Sequence, residues 1–211
     1  MRDTFVDAAN SSAVDRDGAG PDNTEIRKFF EVIMFAYLLL LAAVLSHVLP
    51  HAGWYGFTAV GGALLYFGAR RNWLEMAVPV VVLAASDYYA TTHVFGYDFT
   101  WQAYVVTWAW YAGAMALGHV LLRERATLAR GVAAALLGPT SFFLLSNFAV
   151  WLGAQTLYAK TAGGLLTCFV AGLPFYERDV ISTSLVLALA FALPALLRRW
   201  TAQSAGAHRS A

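Results

Sequence analysis

Arg27-Lys28-Phe29-Phe30-Glu31-Val32-Ile33-Met34-Phe35-Ala36-Tyr37-Leu38-Leu39-Leu40-Leu41-Ala42-Ala43-Val44-Leu45-Ser46-His47-Val48-Leu49 is the stretch whose reading decides the fold. Two cations precede a run of nearly unbroken apolar residues. The run matches the roughly 20 residues that a helix needs to cross the hydrocarbon core of a bilayer. Pro50, His51, Ala52 and Gly53 then break it with a turn.

The pattern recurs. Apolar stretches follow at about 54–69, 73–89, 101–122, 131–152 and 181–197, and basic residues stand at alternate junctions. Arg70 and Arg71 follow the second stretch, Arg123, Arg125 and Arg130 the fourth, and Arg198 and Arg199 the last. With Arg2, Arg16 and Arg209 in the tails, twelve of the fourteen Lys and Arg residues fall on one side. Only Lys160 and Arg178 fall on the other. Basic loops stay cytoplasmic. The expectation is an all-α protein of the bacterial inner membrane, multi-pass, with six transmembrane helices and both termini cytoplasmic.

Composition agrees with the lipid bilayer as a partner. Of 211 residues, 59% are hydrophobic and 13% charged, too apolar for the surface of a soluble domain. The net charge of +1 is spread by topology and leaves no basic patch for nucleic acid. Residues 1–24 are polar and carry Asp3, Asp7, Asp15, Asp17 and Asp22. They read as a disordered cytoplasmic tail and not as a cleaved signal peptide. Residues 25–200 read as one membrane domain, and 201–211 as a second tail.

Two regions depart from plain spans. Pro79 lies inside the third stretch, where it predicts a kink. Residues 163–175 form an apolar core too short to cross, bounded by Gly163, Gly164, Gly172 and Pro174. They read as a re-entrant or half-helix segment between spans 5 and 6.

The polar residues of the membrane part gather toward the outer side. Asp87, in Ser86-Asp87-Tyr88-Tyr89, is either a ligand or ion-coupling group or an interfacial acid wetted at a helix end. Asn147 either holds two helices together or faces a ligand. His47, His51 and His93 lie on the same side, without the Cys or carboxylate spacing of a metal site. No metal and no cofactor is expected. Trp54, Tyr55, Tyr88, Tyr89, Tyr97, Trp101, Trp151 and Tyr158 form either an interfacial belt or the wall of a cup for a flat molecule. Glu177-Arg178-Asp179 reads either as a solvated charge run or, with Lys160, as an outer gate. The lone Cys168 is a packing residue or a soft ligand. No Gly-x-Ser-x-Gly, His-Glu-x-x-His or Walker A sequence occurs, so the reading is of a non-enzyme without a nucleotide site of its own.

Several runs carry a resemblance. They are Phe57-Thr58-Ala59-Val60-Gly61-Gly62-Ala63-Leu64, Ser86-Asp87, Ser146-Asn147-Phe148-Ala149-Val150-Trp151, and the segment from Tyr158 to Tyr176 with Gly164-Leu165-Leu166-Thr167-Cys168-Phe169 and Leu173-Pro174-Phe175. Together they resemble a bacterial family of small integral membrane proteins of unknown function, classed as candidate transport proteins. That family is similar in size and layout to S components of energy-coupling factor transporters. The resemblance implies binding of a small-molecule ligand from outside, and an ATPase-coupled transporter module as partner. By position it points to His51, Asp87, Asn147, Trp151, Cys168, Pro174 and Phe175. An acid expected early in the last span is replaced around Thr183.

The sequence thus leads to a membrane transport protein that binds a small organic solute in an outward-facing cup, as a substrate-binding subunit or alone. Asp87, Asn147, His51, Trp151, Tyr88 and His93 are the expected contacts. The alternative is a non-transporting structural or assembly membrane protein whose polar residues only join helices.

Overall fold

The computed structural model describes residues 23–49, 57–154 and 156–207. The expected N-terminal tail up to residue 22, together with His51, Trp54 and Tyr55, lies outside the described residues. The chain divides into two compact units, Met1–Val32 and Ile33–Ala211. In the first, Arg27 Nε donates to Glu31 Oε1 one turn on, at 2.9 Å.

The described residues hold six α-helices and no strand. They are α1 (Asn23–Val48), α2 (Val60–Arg70), α3 (Ala77–Tyr89), α4 (Trp101–Leu122), α5 (Leu128–Leu152) and α6 (Ala162–Ala207). A 3-10 turn, Trp73–Met76, leads into α3, and a π turn, Ala90–Val94, leaves it.

Among the described residues, three helical stretches are long and apolar enough to cross a membrane: Phe30–Val48, Trp101–Leu122 and Leu128–Leu152. Their flanks present large apolar side chains outward, among them Met34, Leu38, Leu41, Leu45, Leu136, Leu144 and Val150. An aqueous surface does not carry apolar area on that scale, whereas acyl chains are compatible with it. These three helices mark a membrane protein.

Six spans are not supported. The stretch expected as span 2 is the 11-residue helix α2, which extends about 16 Å, half of the roughly 30 Å hydrocarbon core. It is the centre of the bundle and not a lipid-facing span, because every residue from Val60 to Ala69 is buried. It packs against α4, α5 and α6. Glycine makes this possible. A Cβ on Gly68 would stand 1.9 Å from the Met115 carbonyl oxygen of α4, and one on Gly118 of α4 would stand 2.0 Å from the Leu65 carbonyl oxygen of α2. The two backbones therefore touch, as small residues permit when helices cross closely.

The expected re-entrant segment is also corrected. Residues 163–175 and the last span are one helix, α6, of 46 residues. Thr161 starts it, its Oγ1 accepting from Gly164 N at 3.1 Å in the manner of an N-cap. Asp179, which interrupts the apolar pattern, is carried by a local bond from Thr183 Oγ1 at 3.3 Å. The charges break the hydropathy but not the helix.

Pro79 does not act as an interior kink. It lies in the first turn of α3, where a missing N–H leaves no helical bond unmade. The prolines within helix interiors are Pro139 in α5 and Pro174 and Pro194 in α6.

The basic junctions meet at one end of the bundle. Arg123 Nη1, after α4, donates to the Arg71 carbonyl, after α2, at 3.3 Å. Arg71 pairs with Glu75, its Nε donating to Oε2 at 2.6 Å. The Arg70 guanidinium lies over the Phe191 ring at 5.1 Å from its centroid.

Candidate functional site

A cavity of about 430 Å³ opens among α1, α2, α3, α4, α5 and α6. Its volume falls in the range of roughly 300–1,000 Å³ typical of small-molecule sites. Each helix contributes from the face it turns inward. His47 ends α1, Thr58 and Gly61 flank the start of α2, and Asp87 comes from α3. Tyr104, Trp110 and Tyr111 come from α4, Pro139, Phe142, Phe143, Ser146 and Asn147 from α5, and Phe175, Tyr176 and Asp179 from α6.

Asp87 is 2% exposed, so the alternative of a wetted interfacial acid does not hold. Three side chains from two other helices converge on its carboxylate. The Oδ1 atom pairs with His47 Nε2 at 2.8 Å. Trp108 Nε1 donates to Oδ2 at 2.9 Å. The Tyr111 hydroxyl donates across both oxygens, at 3.3 and 3.2 Å. A buried carboxylate is tolerated when it is paired and hydrogen-bonded in this way.

The backbone next to Asp87 is fastened too. Thr91 Oγ1, in the π turn, donates to the Asp87 carbonyl at 2.7 Å and meets Tyr104 Oη at 2.5 Å. Thr92 Oγ1 does the same for Tyr88 O at 2.8 Å. π turns are frequent at functional sites.

Asn147 faces the cavity but is partly engaged by the protein. Its Nδ2 donates to the Phe143 carbonyl at 2.8 Å. Its amide packs against Gly172 of α6, where a Cβ would come 2.5 Å from Oδ1. The buried Cys168 donates through Sγ to the Asn147 carbonyl at 3.3 Å. Asn147 therefore joins α5 to α6 and borders the cavity at the same time.

The charge run at the middle of α6 is not uniformly solvated. Glu177 is exposed, whereas Asp179 turns into the cavity. Gly61 gives it room, since a Cβ there would lie 2.5 Å from Thr183 Oγ1 and 3.5 Å from Asp179 Oδ1. An acid is thus present on this face one turn before Thr183.

The structure brings Asp87 and Asn147 to one cavity and leaves Tyr88, His93 and Trp151 outside its wall. Tyr88 is half exposed and stands against Phe99, with ring centroids 5.1 Å apart. His93 stacks on Tyr89 at 5.0 Å. Trp151 donates through Nε1 to the Ala159 carbonyl at 2.8 Å. Its own carbonyl accepts from Lys160 Nζ, which also reaches Gly153 O at 3.0 Å. Lys160 thus serves the carbonyls ending α5, where a cation suits the helix dipole. His51 lies outside the described residues.

Sequence reasoning passed over Tyr111 and Trp108, and it read His47 only as one of three outer-side histidines and Asp179 only as part of a charge run. Only the partner of His47 reveals its role. For Tyr111 and Trp108 the available signal was position: both lie on α4, within a turn of one another. Among the described residues, no group of three or more His, Cys, Asp or Glu is arranged to hold a metal ion.

A family model described as a family of unknown function (DUF6580) matches residues 27–205. No curated protein and no solved structure matches the chain.

Proposed function

The chain belongs to the family of unknown function DUF6580, and from that premise we propose that it is a membrane transport protein that binds a small organic solute in the cavity among its six helices. The observation that carries the reading is the cavity itself. It is lined by aromatic rings together with polar groups from five different helices, the composition of a site that holds a ring and orients it. The bundle lies in the bacterial inner membrane, with the Arg71–Arg123 end toward the cytoplasm and the cavity opening outward. The chain has no nucleotide-binding sequence, so uphill movement draws its energy from an ion or from an ATPase-coupled partner.

One observation favours a second reading, a structural or assembly protein. Asp87 and Asn147 spend most of their bonding capacity on their own protein. In that case the cavity is only space between helices.

Occluding the cavity separates the two. Gently purified wild-type protein should release a bound small molecule detectable by mass spectrometry. The Ser146→Trp variant fills the wall from α5 and should release none while remaining monodisperse. An empty wild type, or equal yields from both, favours the structural reading.

Orientation is tested independently. Cys168, the only cysteine, is buried, so an impermeant thiol reagent should not label the wild type in intact cells. Leu157→Cys, at a fully exposed position in the α5–α6 loop, should label. Ala126→Cys, beside the basic junction, should stay shielded until the cells are broken. Labelling of Ala126→Cys from outside reverses the topology.

A further inference from the structure

We infer that the solute is a cation, a small protonated amine carrying an aromatic or heterocyclic ring, and that Asp179 is its counter-ion. The inference rests on the solute-binding reading above and names the chemical class of the ligand.

Charge in the cavity wall is the first ground. Two carboxylates, Asp87 and Asp179, line it, and none of the lining residues is Lys or Arg. The basic group present, His47, already faces Asp87 at 2.8 Å. An anionic solute would meet two acids and no free cation, which excludes it by repulsion. A neutral solute would leave Asp179 uncompensated in a low-dielectric setting, where an unpaired charge is costly.

The two acids are not equivalent, and this is the second ground. Both Asp87 oxygens are taken by His47, Trp108 and Tyr111. Asp179 Oδ1 has one long bond, from Thr183 at 3.3 Å. Among the described residues its Oδ2 accepts none. Asp179 is therefore the acceptor still open to a ligand, and an ammonium offers the donors it needs.

The rings are the third ground. Trp110, Tyr111, Phe142, Phe143, Phe175 and Tyr176 come from three helices around the same space. Aromatic faces stabilise a cation within about 6 Å of their centroids and stack on a ligand's own ring. The cation preference does not extend to an anion.

The experiment compares three probes of nearly equal size: 2-phenylethylamine, 2-phenylethanol and phenylacetate. Each is labelled and dialysed to equilibrium against the full chain in lipid nanodiscs at neutral pH. The amine should bind about 10- to 100-fold more tightly than the alcohol, the margin of one charge-assisted hydrogen bond, and the acid most weakly. Asp179→Asn should erase the amine's advantage over the alcohol while the variant stays monodisperse. Equal affinities, or a preference for phenylacetate, overturn the cation assignment. If that binding is still lost in Ser146→Trp, the cavity remains the solute site. If none of the probes binds, or binding survives Ser146→Trp, the solute-binding reading falls and the cation assignment falls with it.

Discussion

Asp87→Ala should lower the stability of the bundle by roughly 2–4 kcal/mol, about 30- to 700-fold in the folding equilibrium. The side chain is 2% exposed, and its removal strands His47, Trp108 and Tyr111 together. A single interhelical hydrogen bond in a membrane averages only about 0.6 kcal/mol. Here three donors lose one acceptor at once, and one donor is an imidazole. Asp87→Asn keeps an acceptor oxygen but turns an N–H toward a donor, so about half the loss is expected. Unfolding in mixed micelles measures both. In a His47→Ala background the cost of Asp87→Ala should shrink, because one stranded group is already gone. An Asp87→Ala variant as stable as wild type means that water replaces the carboxylate, and the network is not what joins α1, α3 and α4.

Gly118→Ala should be nearly as damaging, through sterics alone. The added methyl would sit 2.0 Å from the Leu65 carbonyl oxygen, and backbone cannot swing aside as a flexible side chain can. Overpacking of this kind costs about 1–3 kcal/mol and sometimes more. The control lies on the same helix. A Cβ at Gly113 would meet nothing within 4 Å, so Gly113→Ala should be neutral, or stabilising by up to about 1 kcal/mol from helix propensity. One substitution in one helix then gives opposite signs five residues apart. Equal effects at the two positions would falsify the close crossing of α2 and α4.

The same crossing explains what the sequence could and could not disclose. Phe30–Val48, Trp101–Leu122 and Leu128–Leu152 were legible because each is a continuous apolar run of spanning length, and hydropathy measures that directly. Helix α2 is apolar for a different reason. It is enclosed by protein, and a buried helix and a lipid-facing one have the same composition. Its glycines showed that something would approach closely but not how short the helix would be. In α6 the error ran the other way. Gly163, Gly164, Gly172 and Pro174 read as the bounds of a separate short segment, yet the helix runs on through Pro174 and through the charges that follow, whose side chains find partners or water. Asp179 found Thr183 four residues on. At the site, Asp87 and Asn147 stood out as polar groups in apolar surroundings. His47 did not, because its meaning lies in a partner 40 positions away, which no local pattern encodes.

The continuity of α6 has a mechanical consequence. Had 163–175 been a separate half-helix, Asp179 would have stood at the loop that joins it to the last span, and a ligand there would have moved the loop. One continuous helix has no loop at that place. It passes Asn147 at Gly172, the cavity at Asp179 and α2 at Val186, and it continues to Ala207. From Asp179 to that end is a lever of about 42 Å at 1.5 Å per residue. A tilt of about 5° at the cavity would displace the far end by roughly 4 Å, on geometry alone. An event at Asp179 can thus be read at the far end of α6 without any side chain relaying it.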